Sequence, residues 1–197
     1  MSGDDPVESR QDKQAKQDVQ DVQDVAGKGR VMTMYTTVDS PLGELLLVGE
    51  EATGGVALAS LSLPGQKGAA VVRDGWVHAP EAFAGIAAQL REYFEGRRTR
   101  FDIVYADGVG TDFQRRVWAA LDTVPYGETV SYGQIAERVG APGSGVRAVG
   151  TAIGRNPLLV VRPCHRVIGA DGALRGYAGG LERKERLLGL EGALAVR

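Results

Sequence analysis

The chain has 197 residues, enough for one large domain or two small ones around a hydrophobic core. With 43% hydrophobic and 24% charged residues it has the make-up of an ordinary soluble protein, and its single cysteine excludes an internal disulfide. The net charge of −2 hides an asymmetry, because residues 114–197 carry 12 basic side chains, eleven of them arginine, against 7 acidic ones. Such a surplus suits a polyanionic partner or, more blandly, a solvated face. No apolar run approaches the roughly 20 residues that span a bilayer, and the polar N-terminus lacks the hydrophobic core of a signal peptide. A cytoplasmic protein with no membrane attachment is expected.

In chain order, residues 1–30 contain almost no large apolar side chains and repeat Gln-Asp-Val three times from Gln17 to Val25. Such a segment cannot bury enough surface to offset its ordering entropy, which predicts a disordered tail. From Val31, "VMTMYTTVDSPLGELLLVGE" predicts a hairpin turning at Ser-Pro-Leu-Gly, and "GGVALASLSLP" predicts a third strand. "PEAFAGIAAQLREYFEG" starts at Pro80, ends at Gly96 and places Phe83, Ile86, Ala87, Leu90 and Phe94 on one helical stripe. "RTRFDIVYA" predicts a further strand. Residues 31–108 thus form a small domain of sheet plus helix.

From residue 109 the pattern becomes mostly helical. "TDFQRRVWAALDTV" has Thr111 or Asp112 as N-cap and Phe113, Val117, Trp118 and Leu121 on one face. "TVSYGQIAERVG" predicts a short helix ending at Gly140. After "APGSG", "VRAVGTAIGRN" predicts another, with Val146, Val149 and Ile153 inward. Two short helices joined by a glycine-containing turn form a helix-turn-helix. Pro157 ends the helical run, "LLVVRPCHRVIG" reads as extended, and "GLERKERLLGLEG" is a last helix. The fold class is α+β, with a winged-helix-like C-terminal domain over residues 109–197.

The chemistry concentrates in "RPCHRVIG", which holds Cys164 and, next to it, one of only two histidines. An isolated cysteine is often just a small buried hydrophobe. A nucleophilic one needs a nearby base or positive charge, and His165, Arg162 and Arg166 surround this one. Adjacent residues of an extended chain point to opposite faces. The pair therefore cooperates only if the backbone turns after Pro163 or a water bridges sulfur and imidazole. "GSGVRA" matches a dinucleotide fingerprint but follows a helix, and one cysteine with two histidines leaves no structural zinc site.

"PCHRVIG" (Pro163 to Gly169), with "RNP" upstream (Arg155 to Pro157) and "GYAGGLERKERLLGLEG" downstream (Gly176 to Gly192), resembles the methylated-DNA–protein-cysteine methyltransferases, the alkylguanine-DNA alkyltransferases. The likeness is strong from Phe113 to Gly192 and weaker through residues 34–105. It implies a repair protein that flips O6-alkylguanine from duplex DNA and takes the alkyl group irreversibly onto Cys164, once per molecule. In that reading His165 deprotonates the thiol through water, Glu191 holds the imidazole, Asn156 braces the reactive segment, and Tyr132 donates to guanine N-3. Arg147 fills the vacated space in the duplex, with Ser131, Ala148 and Thr151 also against the minor groove and little sequence specificity. Ile153, Val167, Tyr177, Ala178 and Gly179, with Tyr132, line the substrate pocket. The resemblance implies a monomer needing no cofactor and no metal.

Arg162 departs from the family, which has an aliphatic residue there, and Leu159 and Gly176 fall at variable pocket-edge positions. Three other readings compete: an alkyltransferase-like lesion binder without transfer activity, a cysteine hydrolase, and an inert helix-turn-helix DNA binder with a core cysteine.

Overall fold

The computed structural model describes residues 32–194, so the expected tail over residues 1–30 lies outside the described residues. Strands β1 (Thr33–Val38), β2 (Leu45–Ala52) and β3 (Gly55–Ser62) form an antiparallel meander, and a two-residue strand β4 (Val77–His78) pairs parallel with β1. The sheet order is β3-β2-β1-β4. The first turn closes where Gly43 donates to the Ser40 carbonyl at 3.0 Å, with Gly43 at φ +104°. The β2–β3 register slips between Val48 and Gly49, where a Cβ on Gly49 would sit 2.3 Å from Val56 Cγ1. Only glycine fits that bulge.

The predicted helix from Pro80 begins as a 3₁₀ turn over Pro80–Phe83 and continues as α1 (Ala84–Phe94). Its buried stripe is Phe83, Ile86, Leu90 and Tyr93. Tyr93 takes the core position expected for Phe94, which is only partly buried.

The expected strand over "RTRFDIVYA" is not a strand. It meets β3 in one parallel bridge, Leu58 to Tyr105, and is otherwise held by the Gln89 amide, which exchanges two hydrogen bonds with Asp102 at 2.7 and 2.8 Å. The outer edge of β3 cannot give it more, because three residues on, at Leu61, that edge pairs with Leu158. There the Leu61 N–H donates to the Pro157 carbonyl at 2.9 Å and the Leu159 N–H to the Leu61 carbonyl at 3.2 Å. The N-terminal sheet thereby abuts the segment that leads to Cys164.

Beyond it, α2 (Asp112–Asp122) starts at Thr111 in a capping box with Gln114, and α3 (Tyr132–Arg138) starts at Ser131 in a second one with Gln134. Helix α4 (Val146–Gly154) follows a 3₁₀ turn over Gly143–Gly145, and its buried residues are Val149, Ala152 and Ile153, with Val146 partly buried. The Trp118 indole donates to the Ala152 carbonyl at 2.8 Å and locks α2 to α4. A parallel ladder joins β5 (Val130–Ser131), at the entry to α3, to β6 (Val167–Ile168), just past the cysteine. Helix α5 (Leu181–Leu190) packs behind it.

The run "LLVVRPCHRVIG" is not extended. It coils through successive turns, with Arg162 donating to Leu158 O at 2.9 Å and Cys164 to Arg162 O at 2.8 Å, and Cys164–Arg166 is a 3₁₀ turn. Val160 sits at φ +69°, a conformation costly for a β-branched residue. The Asn156 side chain spans this turn, bonding the Leu158 and Arg162 carbonyls on either side of Val160.

Candidate active site

Asn156, 2% exposed, is the hub of the reactive turn. Its Nδ2 donates to Leu158 O at 3.3 Å, Arg162 O at 3.0 Å and Cys164 Sγ at 3.1 Å, while its Oδ1 accepts from the Leu158 N–H at 3.0 Å. Cys164, 4% exposed, forms the floor of a cavity of about 150 Å³ lined by Tyr132, Gly150, Ile153, Gly154, Gly176, Tyr177 and Ala178. Burial pushes its thiol up to about 11, against the opposing effects of the Asn156 bond and the Lys184 and Arg162 charges. At rest the sulfur is a thiol, and it needs a base.

His165 is fully buried beside it. Its Nε2 meets Glu191 Oε1 at 2.8 Å, so Nε2 carries the hydrogen toward the carboxylate, and the buried Nδ1, without a protein partner, is the acceptor. Burial holds the imidazole below its ordinary value, and Arg166 and Lys184 add to this while Glu191 opposes it. Burial alone would raise the Glu191 carboxyl, but bonds from His165, Arg166 and Tyr93 outweigh it and bring it down to about 2.

Three members of this network were not assigned roles from the sequence. Tyr93 donates its hydroxyl to Glu191 Oε1 at 2.6 Å. Arg166 grips both carboxylate oxygens, Nε to Oε2 at 2.8 Å and Nη2 to Oε1 at 3.0 Å. Lys184, wholly buried, donates to Val167 O at 2.5 Å and Arg175 O at 2.6 Å and is held down at about 8 by burial. The signal for Lys184 was available: Lys184, Leu187, Leu188 and Glu191 fall at i, i+3, i+4 and i+7 on one helix face, so two charges occupy core positions.

Most of the predicted pocket residues converge. Tyr132, Ile153, Tyr177 and Ala178 line the cavity, and Gly176 joins them. Val167 and Gly179 do not: Val167 is fully buried with its carbonyl taken by Lys184, and Gly179 packs so closely on Leu63 and Tyr177 that a Cβ would meet them at 2.5 and 2.8 Å. Leu159 is likewise fully buried outside the lining. The Tyr132 hydroxyl donates to Arg175 O at 3.3 Å and lies 3.5 Å from Gly176 O.

On the solvent-facing side of α4, Arg147, Ala148 and Thr151 are exposed together, and Thr151 Oγ1 donates to Arg147 O at 3.1 Å. The Ser131 hydroxyl accepts from the Gln134 N–H at 3.1 Å as the N-cap of α3. Arg162 points away from the cavity. Its guanidinium lies 4.9 Å from the Tyr105 ring centroid and 5.5 Å from that of Trp118, and pairs with Asp122 at 3.1 Å. The unusual arginine is thus accommodated by stacking and a carboxylate.

Comparison with known proteins finds matches over both halves of the chain. The family model for the 6-O-methylguanine DNA methyltransferase DNA binding domain matches residues 112–193, and that for the ribonuclease-like domain of the same proteins matches residues 33–105. A methylated-DNA–protein-cysteine methyltransferase of Mycolicibacterium paratuberculosis is 54% identical over 160 residues, covering 81% of this chain and 93% of the relative. One from Methanosarcina acetivorans is 46% identical over 159 residues, covering 81% and 98%. The crystal structure of Mycobacterium tuberculosis OGT in complex with DNA superposes with a TM-score of 0.71 at 51% identity, over 81% of this chain and 93% of that one. On these matches and on the arrangement around Cys164, the chain belongs to the 6-O-methylguanine DNA methyltransferase family.

Proposed function

We propose that this protein repairs DNA by drawing O6-alkylguanine out of the duplex and transferring the alkyl group to its own Cys164, once and irreversibly. The observation that carries the reading is a thiol at the floor of a small cavity, beside a buried imidazole whose Nδ1 has no protein partner. The cavity is well below the roughly 300–1,000 Å³ of drug-sized pockets, which suits one flipped base.

The chemistry follows from these groups. The Cys164 proton passes through a water to His165 Nδ1, and Glu191 stabilises the imidazolium that forms. The sulfur lone pair then forms the S–C bond to the alkyl carbon while the C–O6 bond breaks and its electrons go to the purine. Tyr132 releases its hold on the Arg175–Gly176 backbone and donates to N-3, so that the purine leaves neutral. The proton on His165 returns through solvent to Tyr132 and restores its phenol, and the balance is thiol plus alkylguanine to thioether plus guanine. Asn156 stabilises the transient thiolate through its 3.1 Å contact. Tyr177 and Ile153 form apolar walls, and the Ala178 backbone meets the substrate oxygen.

On the DNA side, Arg147 occupies the gap left by the nucleotide, while Ser131, Ala148 and Thr151 lie along the minor groove. The small residues of α4 permit close approach, and the arginine surplus of residues 114–197 supplies phosphate contacts. Residues 31–108 act as the N-terminal domain and residues 109–197 as the alkyl-acceptor domain. We read the protein as a monomer that works in the cytoplasm, where a bacterial-type repair protein meets DNA. Among the described residues no helix is long and apolar enough to cross a membrane.

Mass spectrometry after incubation with a methylated duplex tests the reading. One methyl group per chain on Cys164 with no further turnover is expected. Continuous turnover would mark a hydrolase instead, and an unmodified protein that still binds the lesion would mark a pure binder.

A further inference from the structure

A carboxylate hydrogen-bonded to a histidine normally favours imidazolium, which has no lone pair left to accept a proton. Glu191 sits against His165 at 2.8 Å in a fully buried site, yet the proposed chemistry needs a neutral ring. The resolution lies in the residue after the histidine. Arg166 meets Glu191 as a planar fork, Nε to Oε2 at 2.8 Å and Nη2 to Oε1 at 3.0 Å, and its Nη1 is anchored on Val124 O at 2.5 Å. The guanidinium also lies 5.8 Å from the Tyr126 ring centroid, which fixes its plane. Tyr93 and the Gly127 N–H, at 2.6 and 3.4 Å, take further positions on the same carboxylate.

We propose that Arg166 is a positioning residue for alkyl transfer: it neutralises Glu191 through this two-point fork, so that the carboxylate orients the His165 ring without charging it. The proposal rests on the reading that His165 is the base for Cys164, and it adds what sets the strength of that base. Among the described residues, Glu191, at the end of α5, alone favours imidazolium. Arg166 on the same turn and Lys184 on α5 oppose it. Cys164 is a neutral thiol at rest, Tyr177 presents its ring edge-on at 6.5 Å, and Tyr93 and Tyr126 are phenols reaching in from α1 and from the loop after α2. A bidentate guanidinium is the only one of these that satisfies both carboxylate oxygens at once.

The experiment is an NMR titration of the histidine rings in the full chain, which has only two histidines, with exposed His78 as internal control. In the wild-type protein His165 titrates below its ordinary value. In Arg166→Met it should move up by about one to two pH units, and His78 should stay in place. Arg166→Lys, which keeps the charge, should leave His165 close to wild type. In parallel, single-turnover transfer from free O6-benzylguanine should lose about two- to tenfold in Arg166→Met at pH 7 and recover most of it near pH 9, as the imidazolium deprotonates.

An unchanged His165 titration in Arg166→Met overturns the proposal even if the rate falls, since a strut alone would not move the ring's protonation. Should Arg166→Met not fold, Arg166→Gln carries the same comparison, and failure of both neutral variants would reduce Arg166 to a strut and overturn the proposal. A wild-type protein that never gains an alkyl group would instead sink the functional reading, whatever the titration shows.

Discussion

Replacing Asn156 by alanine removes four interactions at once, but their cost is not four times that of one hydrogen bond. The Leu158 carbonyl still accepts from the Arg162 N–H at 2.9 Å, and the Arg162 carbonyl from the Cys164 N–H at 2.8 Å. The Leu158 N–H, which donates to Asn156 Oδ1 at 3.0 Å, is the group most exposed to the loss. One orphaned buried donor costs about 1–3 kcal/mol, and the emptied amide site adds a small cavity. A destabilisation of about 2–3 kcal/mol follows, which lowers Tm by about 5–10 °C for a chain of this size. The lost Nδ2 contact also removes the largest effect that opposes burial at the sulfur. Transfer from free O6-benzylguanine at pH 7 should therefore slow by about tenfold, and the loss should shrink as pH rises. Differential scanning calorimetry and a single-turnover pH series measure the two effects separately. A Tm within about 1 °C of wild type would mean that the turn holds itself without the amide, and the account of why "LLVVRPCHRVIG" coils would be wrong.

Cys164→Ala should abolish transfer, read by mass spectrometry, while leaving duplex affinity nearly unchanged, and stoichiometric transfer by that variant would sink the mechanism. Arg147→Ala should slow repair of a methylated duplex far more than reaction with the free base, whereas Tyr132→Phe should slow both; equal proportional losses for Arg147→Ala on both substrates would refute the division between extrusion and leaving-group activation. Glu191 titrates at about 2 in the fold against an ordinary 4.5, so it contributes up to about 3 kcal/mol that is complete above pH 4.5 and lost as pH falls through 2. Urea unfolding from pH 6 to 2.5 should accordingly show a steeper acid loss for wild type than for Glu191→Gln, and parallel curves would contradict the assignment.

What the sequence revealed divides along physical lines. Thr111 and the stripe Val117, Trp118, Leu121 were legible because capping and helical periodicity are local. The hairpin was legible for the same reason. The strand over "RTRFDIVYA" was not, since a strand exists only where a partner edge is available, and β3 divides its outer edge between Tyr105 and Leu158. Tyr93 and Phe94 are one residue apart, about 100° on a helix. Periodicity admits either, and the hydroxyl's bond to Glu191, 98 residues away, fits Tyr93 to the inner position. The cysteine–histidine pair was legible as a motif. The turn after Pro163 was legible as a condition for the pair to cooperate, but the coiling of the run before it was not, because a short apolar run has the same pattern whether it is a strand or a set of buried turns.

That geometry also resolves an apparent contradiction. Nucleophilic cysteines are ordinarily activated by a lowered pKa, yet this one is pushed up to about 11. At neutral pH the thiolate lies about 5 kcal/mol above the thiol, a cost the reaction must meet. For a protein that reacts once, the cost has a use: a sulfur kept as thiol is slow toward oxidants and stray electrophiles. In the proposed mechanism the surrounding groups recover the cost when a base lies in the cavity. There His165 takes the proton because Arg166 neutralises Glu191, which would otherwise hold the ring as imidazolium. In the same proposal Tyr132 activates the leaving purine once the base displaces its bond to the Arg175 carbonyl. Reactivity is therefore conditional on occupancy, and the conditioning groups come from α3, the reactive turn and the end of α5 together. No single segment could supply it, which is why the sequence between Tyr132 and Glu191 has to fold as one unit around Cys164.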